Sequence, residues 1–152
     1  MELTIQQALQ QGVAAHKEGK LQDAERLYRA ILNSQPKHAD ANHNLGVLAV
    51  SVNKLNVALP LLKTALEANP KIEQFWLSYI DALVKEQQFK YAKQVVEQAK
   101  NQGIAGNKLK TLEETLASKN KEESVDSFSP SQERLGTPVS YTHLTLPTIY
   151  SV

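Results

Sequence analysis

The sequence has no cysteine in its 152 residues, which excludes disulfides, thiol nucleophiles and cysteine-ligated metals but leaves the compartment open. It also lacks an excess of either charge. Lys plus Arg number 17 against 16 Asp plus Glu, so nothing pulls the whole chain toward nucleic acid or an acidic membrane. Neither charge nor aromatics form a platform for single-stranded nucleic acid. No apolar run approaches the ~18 residues that would span a bilayer. The first residues, MELTIQQALQQG, show no basic start followed by an apolar run, and so no signal peptide. Glycine-rich phosphate loops and a serine in a nucleophile elbow are also missing. Strand signals are absent from residues 1 to 118. The expectation is a soluble, cytoplasmic protein without a catalytic constellation, cofactor or metal, and without affinity for nucleic acid or membrane.

What is present is a repetition. AERLYRAILNSQP runs from Ala24 to Pro36, and ALPLLKTALEANP runs from Ala58 to Pro70, 34 residues later. The same offset relates Gly12, Gly46 and Ile80, and again Ala24, Ala58 and Ala92. Leu21, Leu55 and Phe89 form another column, as do Leu27, Leu61 and Val95, and Tyr28, Leu62 and Val96. Pro36 and Pro70 match, and Ile104 stands where a third proline would fall. Within each unit apolar residues recur at three- and four-residue steps, the period of an amphipathic helix. Breaks at KEGK (17–20), SVNK (51–54) and KEQQ (85–88) split each unit into two helices. Gly19 and Asn53 suit left-handed helix ends, and Pro36 and Pro70 stop the second helices. Gly12 and Gly46 are expected to face Ala24 and Ala58, letting the two helices approach closely. A glycine inside a helix costs about 0.5–1 kcal/mol, so close packing is a reason to keep it.

These columns resemble the tetratricopeptide repeat, a helix-turn-helix unit of this period. The second unit fits best, with Asn44-Leu45-Gly46, Ala58, Leu62, Ala65 and Pro70. The first has Gln11 where the family prefers leucine. The third has Trp76 at the aromatic position but Ile80 at the small one. The resemblance, placed on residues 1–104, implies an all-α solenoid of three units over about 5–38, 39–72 and 73–106. Leu109, Leu112 and Leu116 share one helical face, and Lys108, Lys110, Glu113, Glu114 and Lys119 supply a polar one. Residues 107–118 therefore read as a capping helix. From 119 to 134 the chain is charged and serine-rich, with little to bury, and a disordered linker is expected. VSYTHL (139–144) looks like a translated DNA adapter, so residues 135–152 read as a non-native scar, the alternative being a genuine tail with some strand tendency.

By the family's geometry the first helices line a concave surface. The inward positions fall on Gln6, Leu9, Val13, His16 and Lys17 in the first repeat. They fall on Asp40, His43, Val47, Val50 and Ser51 in the second, and on Gln74, Leu77, Asp81, Val84 and Lys85 in the third. An apolar centre of Leu9, Val13, Val47, Val50, Leu77 and Val84 within a polar surround suits a peptide with apolar anchors. The same residues could instead pack against neighbouring repeats or a missing domain. His38 and His43 straddle a helix start without a convergent set of metal ligands. Some members of the family grip a C-terminal carboxylate through a clamp of lysine, asparagine and arginine. Here Leu9 and Val13 stand at the clamp's first positions. Asn44 matches one asparagine, and Gln74 and Ser78 replace its later cations, so the charge-assisted bonds are lost. The expected function is non-catalytic binding of a protein or peptide through Leu9, Val13, His16, His43, Val47, Val50, Leu77, Asp81 and Val84. Self-association or packing on a downstream domain are further uses of the same face. The alternative is an N-terminal repeat segment of a larger bacterial glycosyltransferase or sulfotransferase.

Overall fold

The structure, a computed structural model, describes residues 3–128, with side chains through Lys119. Seven α-helices and no strands are found among these residues. They are α1 (Ile5–Lys17), α2 (Leu21–Ser34), α3 (Ala39–Ser51), α4 (Leu55–Ala68), α5 (Glu73–Lys85), α6 (Phe89–Asn101) and α7 (Asn107–Phe128). The starts of α1, α3, α5 and α7 fall 34 residues apart, and so do those of α2, α4 and α6.

Local chemistry sets these boundaries. Thr4 and Gln7 form a reciprocal capping box before α1, at 3.0 and 2.9 Å. His38 caps α3 through Nδ1, which accepts the Ala41 N–H at 3.1 Å. Each turn between paired helices repeats one hydrogen-bond pattern. Lys20 N–H reaches the Ala15 carbonyl, Lys54 N–H that of Ala49, and Gln88 N–H that of Leu83, at 2.8, 2.8 and 2.9 Å. Such turns need a left-handed residue. Gly19, Asn53 and Gln87 supply it, with φ of 81°, 61° and 63°. Between repeats, Asn42 donates to the Pro36 carbonyl at 3.0 Å, and Trp76, one period on, donates to that of Pro70 at 2.8 Å. The third such junction has no proline. There α6 ends through Gly103, at φ 90°.

First helices pack on each other, α1 on α3 and α3 on α5, whereas α2 and α4, or α4 and α6, make no such contact among the described residues. The second helices are therefore the more widely spaced layer, and the first helices form the inner side of the curve. Within each pair the seam differs from expectation in its partner. A Cβ on Gly12 would stand 2.6 Å from Tyr28 Cε1, and one on Gly46 would stand 2.6 Å from Leu62 Cδ2. The nearest neighbours of these glycines are thus the large residues one turn beyond Ala24 and Ala58. The large side chain fills the space that the glycine leaves. In the third pair the sizes are exchanged. Ile80 replaces glycine, and the facing column holds Val96, with both fully buried.

Leu109 and Leu116 of α7 are buried in the same core as α5, and Leu112 packs against its edge. The helix that covers the last repeat runs on past the expected end at residue 118, through Phe128. Residues 119–128, at the start of the expected linker, belong to this helix. The lysines and glutamates there are good helix formers, and extending an existing helix avoids the cost of nucleation. The linker beyond 128 and the tail over 135–152 lie outside the described residues.

Candidate functional site

Two hollows open on the inner side. The first, of about 400 Å³, is lined by Val13, His16 and Lys17 of α1, Tyr28 of α2, and His43, Asn44 and Val47 of α3. The second, of about 380 Å³, lies between α5 and α7. Gln74, Leu77, Ser78 and Asp81 line one side, and Lys108, Thr111 and Leu112 the other.

A line of polar side chains connects them. Gln74 donates through Nε2 to Ser78 Oγ at 3.1 Å. Ser78 Oγ lies 2.8 Å from His43 Nε2, and His43 Nδ1 lies 3.3 Å from Asn44 Oδ1. The amide oxygen can only accept, so Nδ1 carries the proton and Nε2 accepts from the serine hydroxyl. The imidazole also leans on Phe75, with ring centroids 4.8 Å apart. Burial holds the His43 pKa below its ordinary 6.5, while Asn44 and Asp40 act in the opposite direction. A neutral ring agrees with the acceptor role of Nε2. At Tyr28, burial pushes the hydroxyl pKa up and Asn44 works against it. Asn44 thus links the phenol of the first repeat to the imidazole of the second, and Ser78 links that imidazole to the third.

The residues singled out from sequence separate into three groups. Val13, His16, His43 and Val47 come together in the first hollow. Leu77 and Asp81 line the second, where Asp81 pairs with Lys85 at 3.0 Å. Leu9, Val50 and Val84 lie in neither hollow. Each is half-buried against the core. Leu77 is 7% exposed and shares a core with Leu109 and Leu116. It was expected to sit on an open apolar strip with Leu9 and Val47. The packing of α7 beside α5 removes it from solvent. His38 is used as a helix cap, and among the described residues no group of three or more acids and histidines could hold a metal.

Tyr28 and Ser78 were not foreseen as site residues. Tyr28 shares a packing column with Leu62 and Val96, and only its hydroxyl distinguishes it. Ser78 stands 35 residues from His43, one step off the repeat, and no column relates them.

No protein-family model matches the sequence, and no curated protein does. Solved structures do match. The Sgt2 TPR domain from Aspergillus fumigatus has 19% identity and a TM-score of 0.72, over 93% of this chain and 91% of that one. The Arabidopsis OM64 TPR domain has 17% identity and a TM-score of 0.67, over 75% and 94%. An O-GlcNAc transferase from Thermobaculum terrenum has 22% identity and a TM-score of 0.59 over 65% of this chain, which spans 20% of that longer one. The chain folds as a tetratricopeptide-repeat solenoid. No helix among the described residues is long and apolar enough to cross a membrane.

Proposed function

We propose that this repeat array is a non-catalytic scaffold that binds an extended peptide segment of another protein along the inner side of α1, α3 and α5. One observation carries the reading. The two hollows lie on that side, and both combine apolar walls with hydrogen-bonding side chains. Apolar walls supply affinity, and the few polar groups fix register and orientation. In this reading Val13, His16, His43 and Val47 form one contact region, and Asp81 with Gln74 and Ser78 forms a second. Leu77 contributes an edge. Leu9, Val50 and Val84 support the lining from behind.

The test selects binders from a displayed library of random peptides, then measures them against two variants. Val47→Asp puts a charge in the first hollow, and Gln94→Asp puts one on the exposed face of α6. Loss of binding in the first variant alone, with helical content unchanged, is the expected result. Equal binding by wild type and both variants rejects the reading.

A second reading is open, although the match to the O-GlcNAc transferase shows the repeat fold alone. The array would be the repeat region of a larger bacterial glycosyltransferase and would dock its partner or its own catalytic domain. An uninterrupted read of the source DNA beyond codon 134 decides this. An open frame entering a transferase domain supports it, and a stop codon rejects it.

A further inference from the structure

We infer that the first hollow is an acid-selective subsite. It seats the side-chain carboxylate of an aspartate or glutamate within an extended peptide, beside an apolar residue of that peptide. This rests on the groove reading above and adds a preference to it.

The argument begins with the inventory of the lining. The Lys17 ammonium, the Tyr28 hydroxyl, the Asn44 amide and the His16 imidazole can each donate a hydrogen bond there, whereas His43 spends its one N–H on Asn44 Oδ1. None is a carboxylate. Lys17 is exposed and makes no ion pair among the described residues. By contrast Lys20, Arg26, Arg29, Lys85 and Lys100 each face an acid within 4 Å. Asp40, which acts on His43, lies in the first turn of α3 and outside the lining. The second hollow contains both an acid, Asp81, and a base, Lys108. The first therefore has one fixed positive charge and no negative one, and the second is balanced.

Geometry supports the charge argument. Val13 and Val47 wall the hollow, and apolar walls strengthen an ion pair by excluding water. Tyr28 is otherwise buried, at 1% exposed. It reaches the hollow because Gly12 leaves room for its ring. The inner side continues past the His43–Ser78 hydrogen bond to the second hollow. A bound chain thus has surface for residues beyond the acidic one, which favours an internal side chain over a chain terminus.

The test uses the whole chain and short dye-labelled peptides of alternating alanine and leucine. The central residue is glutamate, glutamine or lysine, and all three are amidated at the C-terminus. A fourth carries glutamine and a free terminal carboxylate. Fluorescence anisotropy reads affinity. The glutamate peptide is expected to bind about two- to fivefold more tightly than the glutamine peptide, as for a partly exposed ion pair. That ratio should shrink in high salt. Lys17→Glu is expected to move the preference to the lysine peptide without loss of helical content, since Lys17 lies on the surface. Equal affinities for glutamate and glutamine peptides in the wild type overturn the inference, as does a glutamate preference that survives Lys17→Glu. If those equal affinities are lost in Val47→Asp, the groove reading stands without the acid subsite. A preference for the free terminal carboxylate alone overturns the internal assignment. No binding by any peptide at millimolar concentration overturns both readings.

Discussion

Replacing Gly46 by alanine adds one methyl group at the closest point of the second helix pair. That carbon would stand 2.6 Å from Leu62 Cδ2 and 2.7 Å from Leu62 Cγ, where ordinary carbon contacts lie at about 3.5–4.0 Å. The overlap is about 1 Å. Leu62 is fully buried, so it has no empty space to turn into, and the helices must separate or the side chain must leave its rotamer. Overpacking of this kind costs about 1–3 kcal/mol. Alanine regains about 1 kcal/mol in helix propensity over glycine. The net expectation is a loss of about 0–2 kcal/mol. Leu62→Val alone should cost about 0.5–1.5 kcal/mol, as for other deletions of one methyl. If the two residues share one space, the double variant should be more stable than the sum of the singles by ~1 kcal/mol or more. The third pair supplies the reverse experiment. Val96→Leu beside Ile80 should overpack, whereas Val96→Leu combined with Ile80→Gly should restore part of the stability that Ile80→Gly loses. Urea melts followed by helical ellipticity measure all of these, with unchanged m-values as the check on comparability. Losses additive within about 0.3–0.5 kcal/mol in both cycles would refute the exchange of volume across the seam.

Three further outcomes follow from single contacts. Asn42 is 3% exposed and donates to the carbonyls of Pro36 and His38, so Asn42→Leu should cost about 1–3 kcal/mol in a urea melt by stranding the Pro36 carbonyl; no loss would mean that the tie between repeats is not formed. The native pKa of His43 lies below its ordinary 6.5, so the unfolded chain takes up the proton first. The stability this histidine contributes is complete above 6.5 and is lost as pH falls through the lowered native value. Melting temperatures should therefore fall more steeply with acid in the wild type than in His43→Gln, and parallel profiles would reject this. Thr4→Ala removes the capping box of α1 and should cost about 1 kcal/mol, read as earlier fraying of α1 by amide hydrogen exchange.

The helices and turns were legible because they follow from period and local chemistry. A glycine and an asparagine in step announced the left-handed turns at Gly19 and Asn53. The third turn was not announced, because Gln87 has no special ease there. It accepts about 1–2 kcal/mol of strain that the surrounding helices impose. Proline marked the ends at Pro36 and Pro70, yet Pro60 lies inside α4 and does not end it. Its ring is exposed, and packing on the other side holds the helix together. The site was only half legible. The inward positions came from periodicity, which places backbones well. Whether a side chain then lines a hollow or enters the core depends on the neighbouring helix. Leu9 and Leu77 occupy the same inward column with different fates, one half-buried at the first repeat and the other covered beside α7. The polar line through Asn44, His43 and Ser78 crosses between repeats at His43 and Ser78, 35 residues apart and so one step off the period, although Asn44 and Ser78 share a column.

The place of Leu77 decides how far the proposed binding surface extends, and α7 controls it. Leu109 and Leu116 are 2% and 1% exposed and lie with Leu77 in one core. Both sit in the part of α7 that begins one full period after α5, so α7 occupies the position of a fourth first helix. Its seam position does not continue the pattern. Glu114 stands where Gly12, Gly46 and Ile80 stand in the earlier units, and a carboxylate is costly against a second packed helix. We propose that the helix caps the third repeat with a polar outer face. On this account Leu116→Ala should cost about 2–5 kcal/mol, the range for a leucine removed from a filled core. It should also raise protease sensitivity at the end of α5 before the first repeat is affected. In a peptide-binding assay, Leu77→Ala should then act through stability and leave affinity at low temperature almost unchanged. A loss below about 1 kcal/mol for Leu116→Ala, with a clear loss of affinity for Leu77→Ala, would make Leu77 a direct ligand contact and not a core residue.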